Sequence, residues 1–167
     1  IMNQHLGNVG ATVNYIAPVE VQPVNQLEQI VELVNEMKAG QVQTLLMIGG
    51  NPVYNAPADL DFAAALQQVP LSIHHSLYMD ETSSASTWHL NATHYLEEWG
   101  DARAHDGTPT LIQPLIAPLY NGKSASEVLN ALAGTPDQGG FAGLQARWQA
   151  QNLPGDFAKT WHQALQN

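Results

Sequence analysis

Gly49-Gly50-Asn51-Pro52 follows the apolar run 45–48, so two glycines, a carboxamide and a proline stand where a buried strand hands over to a loop. In an open α/β sheet, ligands bind just beyond the carboxyl ends of the strands. Glycine lets a ligand approach the backbone closely, and Asn51 offers both donors and an acceptor. The pattern is neither a Walker loop nor a GxGxxG fingerprint. On its own the pattern is weak, and a plain strand-to-loop turn explains it somewhat better than a ligand edge.

Other residue types invite other chemistries. His94 and Glu98 lie four apart, as do Asp101 and His105, with His74, His75 and His89 elsewhere. Histidine and carboxylate on one helical face is metal-ligand spacing, but Gly100 interrupts that face and no HExxH is present. The competing reading is hydrogen-bonded structural histidine. Ser83, Ser84 and Ser86 lie near histidines in sequence, without the GxSxG elbow of a hydrolase. Glu81, Glu97, Glu98 and Asp101 could form a carboxylate pair, although no spacing sets their separation.

The elements that must position these groups read as an α/β chain. Over 25–39, Leu27, Ile30, Val31, Val34 and Met37 recur at helical spacing and predict one core-facing stripe. Asn25 with Glu28 reads as a capping pair, and Gly40 as the stop. The continuous apolar run 42–48 predicts a strand buried on both faces. A helix over 59–68 follows, with Phe62, Ala65 and Leu66 inward and Pro70 after it, then a strand over 71–75. Such strand–helix–strand passages favour a parallel sheet. Downstream, 81–85 predicts one helical turn, 88–96 a short aromatic stretch and 97–107 a loop. The run 110–116 predicts a strand that Pro114 confines to an edge, and 124–132 a helix with a Ser124–Glu127 capping box. After the linker 135–140, Phe141, Leu144 and Trp148 form one stripe and Phe157, Trp161 and Leu165 another, split by Leu153-Pro154-Gly155; both read as peripheral packing helices. The start is abrupt: 2–6 reads as the last turn of a helix, and Pro18 and Pro23 limit any strand. That opening suggests an excised domain. The expected architecture is a three-layer α/β domain over 1–134, with a mainly parallel sheet flanked by helices, and a small C-terminal helical tail over 135–167.

Bulk composition removes several function classes. The 167 residues carry a net charge of −10, with only five Lys and Arg. Nucleic acid and anionic membrane surfaces both call for clustered cations. No apolar run approaches the roughly 18 residues of a spanning helix, so direct membrane insertion is not expected. There is no cysteine, which excludes disulfides, thiolate catalysis and cysteine-held iron–sulfur clusters within this chain. Charged residues make up 12 %, against about a quarter in typical domains. The surface is thus either covered in part by other protein or simply neutral.

Three longer stretches carry a resemblance: GGNPVYNAPADLDF, DETSSASTWHLNATHYLEEWGDARAHDGT and IQPLIAPLYNGKSASEVL. Together they make the chain, over roughly 3–134, similar to the molybdopterin oxidoreductase superfamily. Within it the likeness is to the large iron–sulfur subunit of alternative complex III (quinol:cytochrome c oxidoreductase), often labelled an iron–sulfur-cluster-containing hydrogenase component. The resemblance implies a fragment of the molybdopterin-enzyme-like half of an exported respiratory electron-transport subunit. That subunit works on the outer, periplasmic face of the cytoplasmic membrane beside other subunits of its complex, and its parent carries iron–sulfur clusters.

By the same resemblance, Gly49, Gly50, Asn51, Pro52, Glu81 and Thr82 occupy the positions that touch a pterin guanine dinucleotide in binding relatives. Asp80 stands where the first Thr of the relatives' TET loop would be, and HLNAT over 89–93 replaces their DVVLP run. The expectation is a structural or docking domain that keeps the loop's architecture, holds no cofactor and has no catalytic centre of its own. The alternative is a pterin guanine dinucleotide-binding domain of an active molybdopterin oxidoreductase. A third reading is a standalone metal-dependent enzyme using His94, Glu98 and His105.

Overall fold

The computed structural model describes residues 1–16, 22–151 and 155–166. Pro18 and the Leu153-Pro154 break lie outside them. The chain is an α/β domain whose strands are mostly parallel and flanked by helices, with a C-terminal helical segment.

The first long helix, α2 (Gln26–Lys38), follows the short α1 (Met2–His5). Asn25 caps α2 by accepting from the backbone N–H groups of Leu27 and Glu28. Its buried stripe runs through Val34 and Met37, with Ile30 and Leu33 packed beside them. Leu27, placed in that stripe by its spacing, is instead 57 % exposed. It sits in the first turn, ahead of the buried Val34 and Met37.

Strand β1 (Thr44–Ile48) pairs in parallel with β2 (Leu71–Ser76), and β2 pairs in parallel with β3 (Trp88–Asn91). Between β1 and β2 the chain forms α3 (Pro52–Asn55), a 3-10 turn (Ala58–Leu60) and α4 (Phe62–Leu66). The single helix expected over 59–68 is broken because Asp61 adopts φ +49° and caps α4, accepting from the Ala64 N–H. One turn of helix, α5 (Glu81–Ala85), links β2 to β3. Strand β3 had read only as an aromatic stretch, because four residues are too few to show alternation.

Helices α2 and α4 cover one face of this sheet. Val34, Met37, Met47, Phe62, Ala65, Leu66 and Val69 form its core. The other face carries Leu46, Ile48, Ile73, His75, Trp88 and Leu90, which the parallel register places side by side, with His75 buried between Ile48 and Leu90. On that face Ile48 and Trp88 stay exposed. Strand β1 is thus not buried on both faces, contrary to its unbroken apolar run.

A second core lies apart from the first. Strand β5 (Pro109–Ile112), near the strand expected over 110–116, pairs antiparallel in a ribbon with β4 (Gly100–Arg103), which lies where a loop was expected over 97–107. Helix α6 (Ala125–Leu132) carries the full Ser124–Glu127 capping box. Helices α7 (Gly140–Ala150) and α8 (Phe157–Gln166) pack on the ribbon, with Leu111, Leu144, Trp148 and Trp161 buried together. The Trp148 indole donates to the Asp101 carboxylate at 2.7 Å, and Trp148 meets Trp161 edge to face. The two aromatic stripes and strand β5 were visible in the sequence; its partner β4 was not.

Candidate functional site

The loop after β1 is built by its glycines. Gly49 donates its N–H to the His75 carbonyl at 2.8 Å, in step with the end of β2. Gly49 and Gly50 have φ of +66° and +67°, a left-handed conformation that costs glycine nothing sterically. Asn51 follows, and Pro52 opens α3, where its missing N–H goes unneeded.

The carboxamide of Asn51 is engaged at both ends by the first turn of α5. Its Nδ2 donates to Glu81 Oε2 at 2.6 Å. Its Oδ1 accepts from the Thr82 backbone N–H at 3.2 Å and from the Thr82 hydroxyl at 2.7 Å. The same hydroxyl oxygen accepts from the Val53 N–H at 3.0 Å. Gly49, Gly50, Asn51, Pro52, Glu81 and Thr82 therefore lie together, the loop buttoned to the helix.

Behind this corner is a buried network that the sequence did not single out. His74 is wholly buried on β2. Its Nε2 lies 3.1 Å from the Gly50 carbonyl, which can only accept, so that nitrogen carries hydrogen. Its Nδ1 lies 2.8 Å from Ser83 Oγ and 3.4 Å from Asp80 Oδ1. Ser83 Oγ also meets His89 Nδ1 at 2.9 Å. Ser83 Oγ has one hydrogen to give, and both the Tyr78 carbonyl at 3.1 Å and His74 Nδ1 lie in reach of it. The sequence signal was the alternation of Ser72, His74 and Ser76 on one strand face, which demands polar partners from the next element.

Each residue of the DETS turn thus has a task. Asp80 caps α5 by accepting from the Ser83 N–H. Burial works to raise its carboxyl, but hydrogen bonds from Ser83 and the nearby His74 ring outweigh it and hold it below the ordinary range. Glu81 is held low chiefly by the Asn51 amide. Ser83 is 2 % exposed, so its contact with two imidazoles is structural and no substrate can reach the hydroxyl.

A cleft of about 380 Å³ opens beyond the carboxyl ends of the three parallel strands. Gly49 and Gly50 line one side, Ala92 and Thr93 another, and Ala125 at the start of α6 closes it. His75 is buried there and donates from Nε2 to the Lys123 carbonyl at 2.7 Å. Thr93 donates to Glu98 at 2.6 Å. The lining includes Asp80 and Glu98 and neither Lys nor Arg. With Asn51 already engaged, that donor set does not fit the diphosphate of a pterin guanine dinucleotide.

The metal reading and the iron–sulfur assignment both need correction. The His94 ring nitrogen Nδ1 accepts from the Leu96 N–H, while Glu98 is held by Thr93. No group of three or more His, Asp or Glu is placed to hold a metal among the described residues. Iron–sulfur clusters are held by cysteine thiolates, and the chain has none. The iron–sulfur protein assignment carried by the resemblance is therefore overturned for this chain.

No protein-family model matches the sequence, and a search of curated proteins returns no match.

Proposed function

We propose that this chain is a structural, non-catalytic domain of a respiratory electron-transfer complex, built on the molybdopterin-oxidoreductase plan. Its loop corresponds to the one that meets the dinucleotide in pterin-binding relatives, and here that loop is closed on the chain itself. What supports the reading is Asn51. The one side chain in the loop that could recognise a ligand gives one of its two N–H groups to Glu81 and its carbonyl oxygen to Thr82. In this reading the domain's partners are other subunits of an assembly at the outer face of the cytoplasmic membrane.

The second reading, a dinucleotide-binding domain, is favoured by the open space in front of Gly49 and Gly50. Calorimetric titration of the full chain with GDP separates the two. The structural reading expects only heat of dilution. Saturable micromolar binding that disappears in Asn51→Ala establishes the second reading instead.

A further inference from the structure

We propose that the groove lined by Tyr78 and Tyr120 is the seat of one arginine side chain from a partner polypeptide, its guanidinium on the Glu97 carboxylate and its flanking residues apolar. The groove has a volume of about 410 Å³ and opens beside the carboxyl end of β3, with Leu77, His94 and Leu119 also in its walls. Tyr78 is 76 % exposed and Tyr120 84 %. Glu97 is half-buried. Its Oε2 accepts from the His94 backbone N–H at 3.0 Å and its Oε1 from the Leu119 N–H at 3.3 Å. Those two bonds hold the carboxylate in place without neutralising it. A carboxylate has about four acceptor sites, so capacity remains on the groove side. No Lys or Arg among the described residues pairs with Glu97, and none lines the groove. The His94 ring adds no opposing charge, since its Nδ1 accepts from the Leu96 N–H.

A fixed anion between tyrosines selects the cation. A guanidinium is planar and weakly hydrated, lies on aromatic faces and forks onto carboxylates, whereas an ammonium is a strongly hydrated point charge. The rim selects a polypeptide over a free small cation. Leu77 and Leu119 are exposed at the groove, as are Leu115 and Ile116 in the loop that the Leu96 carbonyl holds. Apolar neighbours of an arginine in a chain cover that surface; a lone cation leaves it wet. A second copy of this chain brings another charge of −10, which opposes its docking here. The backbone also keeps Tyr120 in an unusual posture. Tyr120 and Asn121 both have φ of +55°, rare for residues with bulky side chains, and the Tyr120 carbonyl accepts from Asn91 Nδ2 at 3.0 Å. The inference stands on Glu97 and the tyrosines alone and holds for either reading of the loop after β1.

The test titrates the full chain, at about 0.15 M salt, with capped Leu-Arg-Leu, Leu-Lys-Leu and Leu-citrulline-Leu, followed by amide chemical shifts. The arginine peptide is expected to bind with a Kd of about 1 mM or tighter, about tenfold tighter than the neutral citrulline peptide and also tighter than the lysine peptide. Glu97→Gln is expected to abolish the preference for arginine over citrulline. Tyr120→Gly is expected to weaken the arginine peptide about threefold or more. Glycine adopts φ +55° without strain, so this variant carries the test if Glu97→Gln folds poorly. Absence of saturation, equal binding of the arginine peptide and either of the others, or binding unchanged in both variants overturns the proposal. Arginine amide binding as tightly as the arginine peptide also overturns it, making a free cation the occupant. Sedimentation of the chain alone as a dimer that Tyr120→Gly dissolves overturns it in favour of a second copy.

Discussion

Asn51 and Thr82, thirty-one residues apart, meet twice: one carboxamide oxygen accepts both the backbone N–H and the hydroxyl of the threonine. Because that hydroxyl oxygen also accepts from the Val53 N–H, the start of α3 and the start of α5 share one buried polar atom. The loop after β1 is thereby tied to the helix after β2, and neither can move alone.

Thr82→Val keeps the shape of that side chain and removes the shared oxygen. It leaves the Val53 N–H unpaired and deprives Asn51 of one donor, at an expected cost of about 1–3 kcal/mol. Thr82→Ser keeps the hydroxyl and is expected to lose clearly less. Urea unfolding of both variants checks this; equal losses contradict the hydrogen-bond assignment.

Asp80 and Glu81 both have folded-state values below the ordinary carboxyl range, Asp80 against the opposing pull of burial and Glu81 through Asn51. Depressed carboxyls stabilise the fold fully above their unfolded values of about 4, and that stability is lost as pH falls through the lower folded values. The unfolding midpoint is therefore expected to drop on acidification below about pH 4.5. Asp80→Asn keeps a cap-competent side chain and should flatten part of that decline. Midpoints measured from pH 3 to 6 decide it, and identical pH profiles refute Asp80's share.

Ser83→Ala removes the hydroxyl that joins His74 to His89. Buried His74 and half-buried His89 each lose a partner, and the expected cost is about 1–3 kcal/mol. Long-range nitrogen–proton spectra of the wild-type chain should show hydrogen on His74 Nε2, bonded to the Gly50 carbonyl. Finding the hydrogen on Nδ1 instead contradicts that direction.

Leu66 and Leu27 look alike in a hydrophobic pattern and differ in the fold. Leu66 is 1 % exposed within the first core, so Leu66→Ala should cost about 2–5 kcal/mol. Leu27→Ala should stay within about 0.5 kcal/mol. Comparable losses at the two sites would show that the first turn of α2 is covered in solution.

The first core was legible because its residues obey strong periods. Val34 and Met37 repeat along a helix, and the run 45–48 ends at two glycines that only a strand-to-loop turn explains. The loop and the DETS turn were legible as neighbours through the resemblance. The chemistry between them was not, since nothing local says that Asn51 spends its amide on Glu81. The contact of His74 with Ser83 escaped for the same reason: each stood out singly, as a candidate ligand and as a serine near histidines, but nothing local pairs them. Strand β5 was legible in the run 110–116, but its partner β4 escaped because GDAR is short and polar, and its cover comes from Trp148 of α7 far downstream.

The separation of the two cores has a thermodynamic consequence. The sheet packs around Met37 and Leu66, the ribbon around Leu144 and Trp148. The described ties from β2 and β3 to the start of α6 are hydrogen bonds, such as His75 to the Lys123 carbonyl and Lys123 to the Asn91 carbonyl. Cooperativity spreads through shared apolar packing, and units that lack it open separately. The chain should therefore melt in two calorimetric steps, with tryptophan fluorescence reporting chiefly on the ribbon and its helices. The sheet can then persist as a folded remnant while its neighbour opens and recloses.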